Sequence, residues 1–161
     1  MNVYDFAMKM ELDGKAYYER LAAETEISGL KTVFTMLATD EQKHHDTVMA
    51  MKAGADGEMA DTVALEEARN VFTELKGQTL LLGGMRKSLE GYRHAMKIEA
   101  DSVRLYEDMA TKVHQQETVQ LLLKIANEEK KHYNIMENLY EIALRPEYFL
   151  EWREFSNLKP L

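Results

Sequence analysis

The sequence contains an internal repeat, in which two parts of the chain match each other at a constant offset of 88 residues. Residues 7–22 and 95–110 are identical at eight of sixteen positions, and the alignment needs no gap. At the same offset, a Glu-x-x-His motif at residues 41–44 recurs at residues 129–132. Because two copies of one unit adopt similar structures, we expect a fold with two related halves.

Each copy of the repeat has the pattern of a helical hairpin. Apolar residues recur at helical spacing with charged residues between them, and short breaks at residues 27–29 and 114–117 divide each copy into two helices. A weaker helical pattern follows the first copy, with Asp61 as its N-cap. The predicted helices cover residues 3–26, 30–53, 62–76, 86–113 and 118–143.

The lengths of these segments predict the architecture. A helix of 24 residues is roughly 36 Å long, and about 30 residues join the two hairpins, which is enough chain to run the length of a bundle. The sequence therefore predicts an all-α four-helix bundle with a long crossover connection and up-down-down-up topology. We expect a single domain over residues 1–161, with hairpin one at 3–53, the crossover at 54–85, hairpin two at 86–143 and an aromatic C-terminal tail at 145–161.

The repeated glutamates and histidines have the spacing of a metal site. The two side chains of Glu-x-x-His lie on one helix face and reach the same interior point. In each hairpin a lone glutamate lies roughly 17 residues before the loop, and the Glu-x-x-His motif lies roughly 13 residues after it. The glutamate and the motif should therefore lie at a similar level along the bundle axis. Two facing hairpins supply four carboxylates and two imidazoles, the ligand set of dinuclear sites in helical bundles. The candidate ligands are Glu11, Glu41, His44, Glu99, Glu129 and His132.

Charge favours two metal ions at these positions. Four buried carboxylates without counter-ions destabilise a fold, whereas two divalent cations neutralise them and neutral imidazoles add no charge. Mixed oxygen and nitrogen ligands suit iron or manganese, and zinc also binds such sites. We predict iron, with manganese or zinc as alternatives. A single Glu-x-x-His motif is also typical of a surface ion pair, but the constant offset between the two motifs disfavours that interpretation.

Over about residues 5–143 the chain resembles the rubrerythrin-like branch of the ferritin-like superfamily. The resemblance implies a ferritin-like four-helix bundle in which Glu41 and Glu129 bridge the two metals, while Glu11 and Glu99 are terminal ligands. The segments that carry it are ELDGKAYYERLA, ATDEQKHHDTV, EADSVRLYEDMA and ANEEKKHYNIM.

The resemblance also implies roles for two residues that precede the bridging glutamates. In related bundles a carboxylate at this position holds the imidazole of the opposite hairpin. Asp40 would then orient His132, and Glu128 would orient His44. The alternative is that both carboxylates are solvated residues on a helix surface.

Two tyrosines, Tyr18 and Tyr106, follow the lone glutamates by two helical turns on the same face. Their hydroxyls could hydrogen-bond to the ligands or take part in electron transfer. The alternative is packing in the core, with each hydroxyl satisfied by some other partner.

The chain departs from rubrerythrin proper in two respects. It has no cysteine, so it cannot hold the four-cysteine iron of a rubredoxin domain. Ser102 stands where rubrerythrin proper has an extra glutamate one turn after the lone ligand, and we therefore expect weaker selectivity for peroxide.

The resemblance implies a diiron oxidoreductase that reacts with O2 or hydrogen peroxide in oxidative stress. Its electrons would come from a separate donor, such as rubredoxin or a flavoprotein. Two alternatives remain at this stage: an iron-binding and storage protein of the ferritin type, and a helical scaffold without metal. A small oligomer such as a homodimer favours the oxidoreductase, whereas a 24-subunit shell favours storage.

Composition disfavours several other classes of partner. The net charge is −8, which is unfavourable for binding nucleic acid or an anionic membrane. No targeting segment and no apolar run of about 18 residues is visible. We expect a soluble, cytoplasmic homodimer, with the aromatic tail folded onto the bundle end or in the dimer contact.

Overall fold

All regular structure in the described part of the chain is helical, as the sequence predicts. The computed structural model describes residues 2–55, 57–75 and 78–145. The predicted aromatic tail covers residues 145–161, of which 146–161 lie outside the described residues. The elements are α1 (Val3–Glu24), α2 (Ser28–Lys52), α3 (Ala64–Leu75), α4 (Thr79–Gly83), a 3-10 turn (Gly84–Ser88), α5 (Leu89–Lys112) and α6 (Gln116–Leu144).

The four long helices form two antiparallel hairpins with three-residue loops. In the first loop the Thr25 N–H donates to the Leu21 carbonyl oxygen (3.1 Å), which closes the last turn of α1. The Thr25 hydroxyl then accepts a hydrogen bond from the Ile27 N–H (3.2 Å) and fixes the chain reversal. As a result, α1 ends at Glu24, two residues before its predicted end at residue 26, and α2 begins at Ser28, two residues before its predicted start at residue 30.

Contacts between the hairpins establish the topology. The Tyr17 hydroxyl donates to the Gly91 carbonyl oxygen (2.7 Å), and the Tyr106 hydroxyl donates to a Glu11 carboxylate oxygen (2.5 Å). The later position on α1 therefore pairs with the earlier position on α5, so these helices are antiparallel. Helices α2 and α6 pair in the same reversed order. The arrangement is up-down-down-up with one crossover.

A polar layer divides the apolar interior of the bundle into two clusters. One cluster contains residues such as Phe34, Tyr92 and Leu139, and the other contains residues such as Val48 and Leu122. On each long helix the residues between the two clusters include a buried glutamate, and on α2 and α6 they also include a buried histidine. Because burial of apolar surface on both sides stabilises the bundle by about 25 cal/mol per Å², the fold can hold this polar layer in place.

The crossover begins with a left-handed turn and then runs along the bundle. Gly54 has φ of +77°, a conformation that favours glycine, and its N–H donates to the Met51 carbonyl oxygen (3.0 Å). The Lys43 ammonium donates to the Ala60 carbonyl oxygen (2.7 Å) and so attaches the extended segment to α2. Helix α3 then packs against α2, with Phe72 fully buried.

The predicted N-cap of the crossover helix is wrong. Asp61 is exposed and lies 2.8 Å from the ammonium of Lys124 on α6, so its carboxylate points away from the helix start. Thr62 is buried instead, and its hydroxyl oxygen accepts a hydrogen bond from the Ala64 N–H (3.1 Å). The helix accordingly begins at Ala64. None of the described helices combines the length and the hydropathy that a membrane-spanning segment needs.

Candidate metal centre

The polar layer gathers the six repeat-related residues from all four long helices. Helices α1 and α5 contribute one glutamate each, and α2 and α6 contribute one Glu-x-x-His motif each. Each of the six side chains is at most 1% exposed. The structure therefore brings together Glu11, Glu41, His44, Glu99, Glu129 and His132.

The six side chains form two overlapping groups. In each group, one possible ligand atom per residue lies within 4.8 Å of the others. Glu41 and Glu129 belong to both groups, and the two imidazole rings are stacked with their centroids 5.9 Å apart. The groups are Glu11, Glu41, His44 and Glu129, and Glu41, Glu99, Glu129 and His132. Two sets with two shared carboxylates are compatible with a dinuclear centre.

Seven buried atoms in this layer make no hydrogen bond with any described residue. The imidazole nitrogens among them lie at ion-pair distance from carboxylate oxygens, with His132 Nδ1 2.8 Å from Glu99 Oε2 and His44 Nδ1 3.2 Å from Glu129 Oε1. Carboxylate oxygens and imidazole nitrogens are what iron, manganese and zinc bind, and the residues therefore fit a pair of divalent cations. The atoms are Glu11 Oε1, Glu41 Oε1, His44 Nδ1, Glu99 Oε1, Glu129 Oε1 and Oε2, and His132 Nδ1.

Like charges raise the pKa of two of the carboxyl groups. Burial, and then the charge of Glu11, raises the pKa of Glu41 well above its usual range. Burial, and then the charge of Glu129, raises the pKa of Glu99 to about 8. These shifts follow from crowding carboxylates in a low dielectric. The layer without metal therefore holds protons at neutral pH, which bound cations would replace.

The imidazoles have the opposite electrostatic environment. Burial lowers the pKa of His44, but the charges of Glu11 and Glu129 outweigh burial and raise it well above its usual value. The same balance, dominated by Glu99, raises the pKa of His132. Burial raises the pKa of Glu129, but the two imidazoles have a larger effect than burial and lower it. The Nδ1 atoms of His44 and His132 lie 3.2 and 3.3 Å, respectively, from Glu129 Oε1.

A carboxylate holds the outward-facing nitrogen of each imidazole. The Nε2 atom of His132 lies 2.8 Å from Asp40 Oδ2, and that of His44 lies 2.9 Å from Glu128 Oε1. Hydrogen bonds from the imidazoles lower the pKa of both carboxyl groups against the effect of burial. An ionised partner keeps a proton on Nε2, so Nδ1 is the nitrogen that would give up its proton to bind a cation.

The two tyrosines hydrogen-bond across the bundle rather than within their own helix. The Tyr18 hydroxyl donates to Glu99 Oε2 (3.0 Å), and the Tyr106 hydroxyl donates to Glu11 Oε2 (2.5 Å). Each lone glutamate thus accepts a hydrogen bond from a tyrosine at Oε2, while its Oε1 accepts no hydrogen bond.

The two copies of the repeat differ at Gly14, which aligns with Ser102 in the second copy. A Cβ atom built on Gly14 would lie only 2.7 Å from Glu41 Oε2, so the absence of a side chain makes room for that carboxylate. Ser102 is buried, and its hydroxyl donates to the Ile98 carbonyl oxygen (3.0 Å) and contacts Met10 Sδ (3.4 Å). The two halves of the layer therefore differ.

A groove of about 730 Å³ lies between α1 and α5 on the outside of this layer. Its lining includes Met10, Gly14 and Ile98. Because Gly14 also borders the Glu41 carboxylate, the floor of the groove adjoins the polar layer.

Two residues around the layer were not anticipated from the sequence. The Thr62 N–H donates to Glu128 Oε2 (3.0 Å), and its hydroxyl donates to Asp40. The Lys43 ammonium lies 2.9 Å from Glu128 Oε1. Lys43 could have been found from its position three residues after Asp40, whereas Thr62 lies in the crossover and has no repeat counterpart.

The remaining histidines lie outside the two groups. His45 contacts the exposed Asp46 carboxylate at 2.9 Å, and His94 and His114 are exposed. His94 packs against the ring of Tyr17 with centroids 5.1 Å apart.

Comparison with known proteins agrees with the resemblance seen in the sequence. The family model described as Rubrerythrin matches residues 2–140, which include the whole polar layer. Searches of curated proteins and of solved structures gave no match. The all-helical fold and the buried carboxylate and histidine cluster are consistent with this match. The chain belongs to the rubrerythrin family.

Proposed function

We propose that the chain is a dinuclear iron oxidoreductase that reduces O2 or hydrogen peroxide with electrons from a separate donor. The observation that carries the proposal is the convergence, in one layer, of seven buried carboxylate and imidazole atoms that make no hydrogen bond. When bound, two Fe(II) ions supply two electrons, one from each ion. Reduction of one H2O2 to two waters, or of one O2 to one H2O2, takes two electrons and two protons. The two electrons equal those that the two irons supply, and the protons come from solvent.

The residues of the layer divide into three roles. Glu41 and Glu129 are shared by both groups and would bridge the metals. Glu11 and Glu99 would each bind one metal through Oε1, because a tyrosine hydroxyl holds the other oxygen. The list of ligands is completed by the Nδ1 atoms of His44 and His132.

The tyrosines and the outer carboxylates keep these ligands in position. Tyr18 and Tyr106 fix the torsion of the glutamate that each contacts. Asp40 and Glu128 hold the proton on Nε2 of the imidazoles, so that Nδ1 stays available to a cation. Burial at about 1% exposure or less excludes bulk water from the layer.

The groove over Gly14 is the approach that we assign to the small oxidant. Gly14 presents no side chain between the groove and the Glu41 carboxylate. A molecule the size of O2 or H2O2 needs only a narrow opening. Larger reductants would be kept out of the layer.

Electrons for repeated turnover must come from outside the chain. The sequence has no cysteine, so it cannot bind an iron–sulfur or rubredoxin-type relay. We propose rubredoxin or a flavoprotein as donor and a homodimer as the working assembly.

Anaerobic loading with Fe(II), followed by rapid mixing with O2 or H2O2, tests the proposal. We expect two iron ions per chain, oxidation by two electrons per chain and no further turnover until reductant is added. Glu90→Gln, at an exposed position on α5, is the control and should behave as wild type. Continued uptake far beyond two irons per chain without reductant, together with a 24-subunit shell, would contradict the proposal in favour of storage.

A further inference from the structure

We propose that Thr62, in the crossover, is a positioning residue that holds both metal-binding imidazoles through their carboxylate partners. The inference rests on the proposed function, since it assumes that the imidazoles bind metal. It adds a residue outside the repeat, in a segment that supplies none of the six candidate ligands.

Thr62 contacts both outer carboxylates at once. Its hydroxyl donates to Asp40 Oδ2, the same oxygen that lies 2.8 Å from His132 Nε2. Its backbone N–H donates to Glu128 Oε2 (3.0 Å), while the other oxygen of Glu128 lies 2.9 Å from His44 Nε2. One residue therefore connects the carboxylates of α2 and α6 that hold the two rings.

The direction of the Thr62 hydroxyl is itself fixed. Its oxygen accepts a hydrogen bond from the Ala64 N–H (3.1 Å) at the start of α3. With one lone pair engaged, the hydroxyl proton is free to point at Asp40. Asp40 thus accepts hydrogen bonds from both the Thr62 hydroxyl and His132 Nε2, which links the start of α3 to the imidazole. Thr62 is only 6% exposed.

The two carboxylates depend on Thr62 to different degrees. Glu128 receives the backbone N–H, which every residue except proline supplies, and also has the Lys43 ammonium at 2.9 Å. Asp40 receives the side-chain hydroxyl and has Lys43 only at 3.6 Å. Loss of the hydroxyl should therefore disturb His132 and leave His44 in place.

Replacement by valine removes the hydroxyl and keeps both the shape and the backbone N–H. We expect Thr62→Val to bind two metal ions, one of them about 10- to 100-fold more weakly than in wild type, the loss typical of removing an outer hydrogen-bond partner. Thr62→Ser keeps the hydroxyl and should bind both ions as wild type does. Thr62→Ala supplies the same test if the valine variant does not fold.

The experiment is a Co(II) titration of the full chain, followed by visible absorption, with unfolding curves recorded to establish that each variant is folded. The predicted result is a weakened site with an altered Co(II) spectrum in Thr62→Val and a wild-type result in Thr62→Ser. In an Asp40→Asn background, Thr62→Val should cause little further loss, because both changes act on the same imidazole.

Two outcomes separate this inference from the proposed function. Wild-type affinity at both sites in Thr62→Val, or losses that simply add in the double variant, would overturn the role of Thr62 while the dinuclear centre stands. Binding of fewer than two ions by the wild-type chain would overturn the proposed function itself.

Discussion

Replacement of Gly14 by alanine should weaken metal binding without weakening the fold. A Cβ atom at this position would lie 2.7 Å from Glu41 Oε2, whereas ordinary contacts of a Cβ atom begin at 3.4 Å. The carboxylate must therefore move by about 0.7 Å, the difference between these distances. Glu41 is shared by both groups of candidate ligands, so this shift acts on both metals.

The magnitude depends on whether the Glu41 carboxylate is free to move. Alanine in a helix interior is favoured over glycine by about 0.8–1 kcal/mol, and overpacking costs about 1–3 kcal/mol. Without metal, the carboxylate is the end of a flexible side chain among like charges and can rotate away, so the helix term dominates. With metal the carboxylate is held, and a cost of about 1–3 kcal/mol corresponds to about 5- to 150-fold weaker binding.

The assay compares Gly14→Ala with Gly91→Ala by chemical unfolding in EDTA and by metal titration. Gly91 lies inside α5, and a Cβ atom there would meet Tyr17 and Leu21 at 3.4 and 3.5 Å, which are ordinary contacts. Gly91→Ala should raise the free energy of unfolding by about 0.5–1 kcal/mol and leave metal affinity unchanged. Wild-type metal affinity in Gly14→Ala would refute the argument that the Glu41 carboxylate needs this space.

Three further predictions concern the charges of the layer. The raised pKa values of Glu41 and Glu99, and above about pH 6.5 those of His44 and His132, mean that the metal-free fold binds more protons than the unfolded chain. Its free energy of unfolding should therefore fall from pH 5.5 to 8.0 by about 1.4 kcal/mol per pH unit for each extra proton. Urea unfolding in EDTA measures this, and a flat profile would contradict it. Glu41→Gln should stabilise the metal-free protein, because it removes a desolvated acid, whereas Glu129→Gln should destabilise it, because both imidazoles lose their shared counter-ion. Thermal unfolding with and without metal should also show that both variants lose most of the stabilisation by metal. Melting-temperature shifts of the same sign for the two variants in EDTA would count against this assignment of charges. Ser102→Glu should raise the ratio of peroxide to O2 oxidation rates measured by rapid mixing, and an unchanged ratio would contradict the expectation that Ser102 weakens selectivity for peroxide.

The repeat was sufficient to predict the four long helices and the glutamates and histidines of the polar layer, but it gave no indication of α4 in the crossover. Its constant offset identifies residues 11 and 99, and residues 41 and 129, as equivalent positions in the two copies. The three-residue spacing within each Glu-x-x-His motif places its two side chains on the same helix face. The contacts of Asp40 with His132 and of Glu128 with His44 both occur in the structure. That these side chains bind metal stays a prediction.

Sequence spacing did not specify the contact partners of Tyr18, Thr62 and Asp61, because these depend on how separate elements pack. Tyr18 follows Glu11 on the same face, but the antiparallel arrangement of α1 and α5 brings it to Glu99 instead. Thr62 has no counterpart in the repeat, and only the course of the crossover brings it to Asp40. Asp61 had the pattern of an N-cap, but Lys124 on another helix holds its carboxylate.

Diffraction from a crystal loaded with a divalent metal, recorded at the absorption edge of that metal, tests the central claim most directly. We expect two anomalous peaks in the polar layer, both next to Glu41 and Glu129, with one beside His44 Nδ1 and the other beside His132 Nδ1. A single peak, or peaks that lie outside this layer while the six side chains keep their present positions, would contradict it.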